Sequence, residues 1–208
     1  MRLGLDFDNT IVSYDSLFHK VALEQGVVPP DTPPSKLAVR DHLRRVGQED
    51  IWTEMQGYVY GARMMEAATF PGVVECLHWA RQAGIEVSIV SHKTKHPFIG
   101  PAYDLHAIAR QWIEHHLSHQ GQPLIPGQQI FFELTKDSKL ARITECGFDF
   151  FLDDLPEILT ASGFPAQRTG ALLFDPAESE SLPDHATRLS HWDQVKAFMG
   201  RQCTTKTS

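Results

Sequence analysis

The order of apolar and polar positions predicts that strands and helices alternate from residue 70 onward. Short runs rich in β-branched and aromatic residues predict strands at 85–90, 129–132, 148–152 and 170–174. Segments whose apolar residues recur every three or four positions predict the intervening helices, at 73–83, 105–112, 138–145, 155–161 and 192–199. This alternation is typical of an α/β fold, in which a mainly parallel sheet is flanked by helices.

The N-terminal third has a different pattern. An apolar run, Leu3-Gly4-Leu5, predicts a first strand, but residues 14–69 show helical periodicity and no convincing strand. We interpret 14–69 as a small all-helical insert, and 1–13 together with 70–200 as the α/β core. The polar segment 201–208 is expected to be a disordered tail.

Composition limits the classes of function. The 208-residue chain is 42% hydrophobic and 22% charged, as in ordinary globular proteins. Its formal net charge of −7 argues against a protein that binds nucleic acid polymers, because such a protein needs a basic surface. No apolar segment is long enough to span a bilayer, and Asp6 and Asp8 interrupt the first apolar run too early for a signal peptide. We expect a cytoplasmic protein that binds neither nucleic acid nor membrane.

Polar residues follow several of the predicted strands. Asp6 and Asp8 come after the first strand, Ser91 after the strand at 85–90, and Asp153-Asp154 after the strand at 148–152. Side chains at i and i+2 of an extended chain point to the same side, and the carboxyl ends of parallel strands meet at one edge of the sheet. Three separate segments are therefore predicted to bring polar groups to one place.

Two chemical interpretations of these carboxylates compete with a purely structural one. Neighbouring carboxylates repel each other, and they are usually kept together by a hard divalent cation or by paired nucleophile and acid roles. In the structural alternative, Asp6 and Asp8 end a strand in a polar turn, Ser91 is a turn residue, and Asp153-Asp154 cap the next helix.

The ordered set of these residues resembles the motifs of the haloacid dehalogenase-like (HAD) superfamily. Asp6-Phe7-Asp8-Asn9-Thr10 matches the first motif, DxDxT, and Ser91 matches the second. Lys139 matches the third, with Lys136 as a competing position, and Asp153-Asp154 matches the fourth. The resemblance covers the chain from its N-terminus to about residue 175. It implies a Rossmann-like core with a helical cap inserted between the first and second motifs, where residues 14–69 lie.

The resemblance also implies roles for the motif residues. Asp6 would be the nucleophile that forms an aspartyl phosphate, and Asp8 the general acid and base, partly protonated when substrate binds. Ser91 and Lys139 would contact the phosphoryl group. The implied cofactor is Mg²⁺, a hard cation that takes oxygen ligands. Its expected ligands are Asp6, Asp153 and the backbone carbonyl of Asp8, with Asp154 either a ligand or an acceptor that orients a bound water.

Further residues are candidates for contact with the substrate. Asn9, Thr10, His92 and Lys93 are predicted to bind it, although a solvated loop is the favoured interpretation of the segment that contains His92 and Lys93. In the helical insert, four residues could line a substrate pocket, with helix packing as the alternative for most of them: Tyr58, Tyr60, Arg63 and Met64.

The resulting functional hypothesis is a Mg²⁺-dependent phosphatase. It would hydrolyse a small soluble phosphomonoester, such as a sugar phosphate or a nucleotide. Asp8 favours phosphate chemistry over dehalogenation, because dehalogenases of the superfamily lack an acid at that position. A phosphotransferase or mutase, and a non-catalytic HAD-like binding module, are the alternatives.

Overall fold

The structure of the chain is a computed structural model that describes residues 1–205. It has ten strands in this range: β1 (Arg2–Leu5), β2 (Val12–Ser13), β3 (Ala68–Thr69), β4 (Glu86–His92), β5 (Ser118–His119), β6 (Gln122–Pro123), β7 (Ile130–Glu133), β8 (Phe150–Asp153), β9 (Gly170–Phe174) and β10 (Ala186–Leu189). The same range contains eight α-helices: α1 (Asp15–Glu24), α2 (Lys36–Arg45), α3 (Glu49–Tyr60), α4 (Val73–Gln82), α5 (Leu105–His116), α6 (Lys136–Cys146), α7 (Pro156–Leu159) and α8 (Trp192–Thr205). Two short 3₁₀ helices lie at Met64–Glu66 and Gly127–Gln129.

Six of the strands form one parallel sheet in the order β10-β9-β8-β1-β4-β7. Alternate residues of each strand are buried on opposite faces, as the period of two requires. In β8, for example, Leu152 packs in the cluster that contains Trp112 of α5, whereas Phe151 packs with Ile143 of α6. The predicted α/β fold with a mainly parallel sheet is therefore confirmed.

The first strand lies in the middle of the sheet, between β4 and β8. Gly4 pairs with Phe151, and a Cβ atom at Gly4 would lie 2.4 Å from that phenyl ring. The glycine thus lets an aromatic side chain cover the strand directly before the polar residues. The central position of β1 brings the segment after Leu5 close to the ends of both neighbouring strands.

Helices α1 to α3 lie between two short strands that pair with each other. Val12 pairs with Thr69 and Ser13 with Ala68 in antiparallel register. The strand β3 was not expected within the helical segment. The third helix ends at Tyr60, where the chain turns at Gly61 into the 3₁₀ helix. The division into an α/β core and a helical cap stays a prediction, since pairing alone does not define a domain.

The C-terminal helix is longer than the sequence pattern indicates. Helix α8 continues through Thr205, so the expectation of a disordered tail is wrong for residues 201–205, and residues 206–208 lie outside the described residues. Cys203 packs against the main hydrophobic cluster, which accounts for the extra turn. Within residues 1–205 no helix combines the length and the apolar character that a membrane span requires.

Candidate active site

Three carboxylates meet at the carboxyl edge of the sheet. Leu5 and Leu152 are register partners, so Asp6 and Asp153, the residues that follow them, stand side by side. The amide of Asp6 donates to the carbonyl of Leu152 at 2.8 Å and extends the strand pairing by one residue. One carboxylate oxygen from each of Asp6, Asp153 and Asp154 lies within 4.8 Å of the others. The structure thus brings together three of the residues predicted to bind the metal.

Lys139 lies between two of these carboxylates. Its Nζ donates to Asp6 Oδ1 and to Asp153 Oδ2, both at 2.6 Å, and the side chain is almost fully buried. Thr135 caps α6 and fixes its start, because its hydroxyl accepts from the amide of Ser138 at 3.0 Å. The first turn of α6 then directs Lys139 inward, while Lys136 pairs with exposed Glu157. Of the two candidate lysines, the structure places Lys139 on the carboxylates.

The cluster has more negative than positive charge. Burial raises the pKa of Asp6 to about 7, with a further rise from the charge of Asp153 that Lys139 only partly offsets. Burial and the charges of Asp6 and Asp153 also raise the pKa of Asp154 well above its ordinary range. One ammonium therefore does not neutralise three carboxylates, and the site favours an additional positive charge.

The donor set fits a hard divalent cation. All three groups are carboxylates, whose oxygens are the ligands that Mg²⁺ takes in proteins, and three of them leave room for water ligands. The carboxylate of Asp8 does not belong to this group, since it faces other partners. That its backbone carbonyl binds the metal stays a prediction.

Asp8 is held by a second buried lysine. Lys93 Nζ lies 2.8 Å from Asp8 Oδ2 and 3.0 Å from Oδ1, and the residue is only 4% exposed. The hydroxyl of Tyr14 donates to Asp8 Oδ1 at 2.5 Å. Tyr14 directly precedes α1, so a residue at the start of the helical segment and a residue after β4 hold the same carboxylate.

These contacts reverse one expectation about Asp8. Burial raises the pKa of Asp8, but the charge and hydrogen bonds of Lys93 and the hydroxyl of Tyr14 outweigh it, and the pKa lies below its ordinary value. The sequence suggested partial protonation because a carboxylate was expected beside it. In the structure the nearest charge is an ammonium, and Asp8 is ionised.

The position of Lys93 after a strand suggested a solvated loop, but in the structure Lys93 is buried. Its amide donates to the carbonyl of Glu133 at 2.8 Å, and its own carbonyl accepts from His106 Nε2 at 2.8 Å. The ammonium also lies 5.0 Å from the ring centroid of Tyr60. Lys93 does not line either of the two cavities described below, and its contact with substrate stays a prediction. The spacing Ser91-x-Lys93, which repeats Asp6-x-Asp8, was the signal for its orientation.

A cavity of about 360 Å³ opens onto the carboxylates. Four residues predicted from the motifs line it together with the acidic residues: Asn9, Ser91, His92 and Lys139. Asn9 adopts a left-handed conformation with φ of 58°, and its side-chain amide lies 3.4 Å from Asp154 Oδ2. Asparagine tolerates this conformation better than most residues do.

Thr10 does not reach this cavity, contrary to the prediction that it binds substrate. It is fully buried, and its carbonyl accepts from the indole Nε1 of Trp192 at 3.1 Å. Its hydroxyl has no hydrogen-bond partner within residues 1–205. Thr10 instead connects the loop after β1 to the start of α8.

A larger cavity of about 520 Å³ adjoins the first. The two share five lining residues: Asn9, Lys36, Gln56, Asp154 and Leu155. The larger cavity extends between α2, α3 and the loop after β9.

None of the four residues predicted to line a substrate pocket in the helical segment lines either cavity, since Tyr58, Tyr60, Arg63 and Met64 pack against neighbours or form surface ion pairs. Sequence reasoning missed Lys36, Trp52 and Gln56, which do line the larger cavity.

Solved structures with the same fold match nearly the whole chain. A HAD family hydrolase from Deinococcus radiodurans R1, solved with bound phosphate and sodium, aligns with 96% of this chain and 95% of its own at 15% identity, with a TM-score of 0.54. The β-phosphoglucomutase from Pyrococcus sp. strain ST 04 aligns over 99% of both chains at 13% identity, with a TM-score of 0.54. The protein YfnB from Bacillus subtilis, solved with magnesium, covers 95% of this chain and 97% of its own at 12% identity, with a TM-score of 0.53. The chain has the fold of the HAD superfamily, as the motifs predicted.

The likeness is structural rather than one of sequence. No model of a protein family matches the chain, and a comparison with curated proteins finds no relative. Dehalogenases are among the similar structures as well, at 9% and 10% identity. At such identities the comparisons establish the fold, and the residues of the site carry the argument about chemistry.

Proposed function

We propose that the chain is a Mg²⁺-dependent phosphatase that hydrolyses a small phosphomonoester through an aspartyl phosphate on Asp6. One observation carries this proposal: a buried carboxylate cluster with its lysine lies at the floor of a cavity, and a second, separately held carboxylate follows two residues later. Nucleophile and acid need to lie close together and to have different surroundings. This site provides both conditions on one short segment.

In the first step, a carboxylate oxygen of Asp6 attacks the phosphorus. The bond between phosphorus and the leaving oxygen breaks, and its electron pair stays with that oxygen. The oxygen takes a proton from Asp8, which receives it from the Lys93 ammonium to which it is hydrogen-bonded. In the second step a water gives a proton to Asp8, and the ammonium of Lys93 is restored. That water attacks the phosphorus of the aspartyl phosphate and releases inorganic phosphate and free Asp6.

The surrounding residues supply positive charge and orientation. Lys139 lies 2.6 Å from Asp6 and favours its ionised form, which is the form that attacks, and Ser91 at the cavity wall would donate to a phosphoryl oxygen. Bound Mg²⁺, held by Asp6, Asp153 and Asp154, would offset the negative charge of the cluster and polarise the phosphoryl oxygens. Structures of the same fold with phosphate in one and magnesium in another support this assignment.

The pair of Asp8 and Lys93 favours phosphate chemistry over dehalogenation. A halide leaves without a proton, so a dehalogenase does not need a second carboxylate beside its nucleophile to protonate the leaving group. An alkoxide leaving group does need a proton. The second candidate, transfer of the phosphoryl group to an acceptor other than water, uses the same residues.

The test is a screen of phosphomonoesters for release of inorganic phosphate, with Mg²⁺ or with EDTA and no added acceptor. We expect release that EDTA abolishes and Mg²⁺ restores. Hydrolysis that persists in EDTA would contradict the metal assignment. Turnover that starts only when a sugar or alcohol acceptor is added would identify a phosphotransferase, and halide release from 2-haloacids would overturn the proposal.

A further inference from the structure

The ammonium of Lys36 lies on the helical side of the site without a carboxylate partner. Lys36 begins α2, and its backbone amide donates to Asp15 Oδ1 at 2.8 Å. Its Nζ lies 5.8, 5.6 and 5.7 Å from the ring centroids of Tyr14, Phe18 and Tyr60. No carboxylate oxygen of residues 1–205 lies within 4.0 Å of it, whereas Lys93 and Lys139 each have one below 3 Å.

This arrangement leaves a positive charge without a paired carboxylate at the wall of the two cavities. Aromatic faces attract a cation, but less strongly than a carboxylate does at hydrogen-bond distance. Burial lowers the pKa of Lys36, yet the Tyr60 hydroxyl and the charges of Asp8 and Asp154 outweigh it, and the lysine is charged. Both aspartates have closer partners or neighbours of their own. An anionic ligand group would compensate the charge of Lys36.

The position of Lys36 indicates which part of a ligand it meets. It lines both cavities and lies where they join. Arg40 and Arg44 follow at intervals of four residues on α2 and line only the larger cavity, so positive groups continue away from the carboxylates. Their partners, Asp41 and Glu49, form exposed ion pairs of the kind that contributes little and exchanges easily.

Two acidic residues of the larger cavity, Asp175 and Glu180, do not compete for Lys36. Asp175 is bound by Arg188 at 3.2 Å and by the amides of Ser179 and Glu180, both at 3.1 Å. The carboxylate of Glu180 is exposed on the loop after β9. Trp52, Phe70 and Phe174 supply apolar surface between the basic and acidic sides. The cavity therefore suits an organic body that has an anionic group directed toward α2.

We propose that Lys36 binds a second anionic group of the substrate, so that the preferred substrate is a phosphomonoester whose leaving group carries a carboxylate or a further phosphate. This inference rests on the proposed phosphatase function, with the transferred phosphoryl group in the smaller cavity. There Lys139 already supplies a cation, whereas the larger cavity has Lys36 as the cation without a carboxylate partner among the described residues. Arg40 is placed to take over part of the contact when the leaving group is longer.

The experiment compares pairs of substrates whose leaving groups differ in one anionic group. One pair is 2-phosphoglycolate and the phosphate ester of glycolamide, and a longer pair is a hexose bisphosphate and the hexose monophosphate. The measured quantity is the ratio of kcat/KM between the anionic and the neutral member, for the wild-type chain and for Lys36→Met and Lys36→Arg. Lys20→Met is the matched control, because Lys20 is a lysine of α1 that pairs with Glu66 and lines neither cavity.

We expect the wild-type ratio to favour the anionic member of at least one pair by about 10- to 100-fold, the range for a hydrogen bond to a charged group. The ratio should fall close to 1 in Lys36→Met, and it should be largely kept in Lys36→Arg and in Lys20→Met. A wild-type ratio near 1 would overturn the inference. An equal loss of kcat/KM on both members in Lys36→Met would also overturn it, because it would show that Lys36 binds the transferred phosphoryl group. Absence of hydrolysis of every ester would instead count against the phosphatase function.

Discussion

Two buried aspartate–lysine pairs lie side by side in this molecule, and they differ in what surrounds them. Asp6 pairs with Lys139 but shares that lysine with Asp153 and has Asp154 close by. Asp8 has Lys93 to itself, as well as the Tyr14 hydroxyl. The pKa of Asp6 rises to about 7, because burial and the neighbouring carboxylate prevail over the lysine. The pKa of Asp8 falls below its ordinary value, because its partners prevail over burial.

The comparison shows how two carboxylates one residue apart acquire different chemistry. Both belong to the same short segment, and both are largely shielded from solvent. They differ in the number of carboxylates that share each lysine. The site at Asp6 lacks positive charge and suits a cation, whereas the site at Asp8 is balanced and suits proton transfer.

The largest effect is expected from Asp6→Asn. The amide keeps the shape but is no nucleophile, so turnover should fall by about 10⁴-fold or more. Steady-state phosphate release measures the loss, and thermal unfolding checks that the fold is intact. Substantial activity in a folded Asp6→Asn protein would remove Asp6 from the role of nucleophile.

Asp8→Asn should have a smaller effect that depends on the leaving group. General acid–base catalysis contributes roughly 10²- to 10⁴-fold, so kcat for an alkyl phosphate should fall by that amount. The fall should be much smaller for p-nitrophenyl phosphate, whose leaving group needs no proton. Equal losses on both substrates would show that Asp8 acts in another way, and the two aspartates would no longer have separate roles.

Replacement of Lys93 tests whether its pairing sets the behaviour of Asp8. In Lys93→Met the carboxylate loses its cation, so the pKa of Asp8 should rise and kcat for alkyl phosphates should fall by roughly 10- to 100-fold, with a shifted pH profile of kcat/KM. Lys93→Arg should retain part of the activity. Lys95→Met is the control, because Lys95 is an exposed lysine two residues further along. A profile of Lys93→Met that matches the control would contradict the positioning role.

The smallest effect concerns stabilisation by metal. The folded-state pKa of Asp6 is raised from 3.8 to about 7 in the metal-free protein, so the unfolded chain loses this proton first and stability falls as pH rises from about 4 to about 7. Mg²⁺ at ten times its Kd should add about 1.4 kcal/mol, or about 3–6 °C in Tm, at pH 8. The gain should be less than half as large at pH 5, where a proton competes for Asp6. Thermal unfolding with and without Mg²⁺ measures it, and an equal gain at both values would place the metal elsewhere.

The sequence predicted the parts of the site that depend on backbone regularity. Asp6 and Asp153 lie together because parallel strands end at one edge, and Lys139 points inward because it lies in the first turn of a capped helix. These relations follow from strand and helix periods, which apolar patterns reveal. The strand β10 escaped prediction because its residues, Ala186–Leu189, show no apolar alternation.

The parts that the sequence did not predict depend on packing between distant segments. Lys93 looked like a solvated residue after a strand, and its burial comes from contacts with Asp8, Glu133 and Tyr60, which are far from it along the chain. Lys36 had no motif around it at all. A lysine is exposed in most proteins, so a lysine that faces a site is recognised only when its neighbours are placed in three dimensions.

The hydrogen bond from Trp192 to the carbonyl of Thr10 has a consequence for the order in which the site forms during synthesis. Asp6 and Asp8 leave the ribosome well before Trp192, which lies 182 residues after Thr10. The loop that carries the aspartates therefore obtains this support only after Trp192 has been synthesised. A nascent chain stopped before residue 192 would have every motif residue in place in its sequence and still lack the indole that holds the loop behind them.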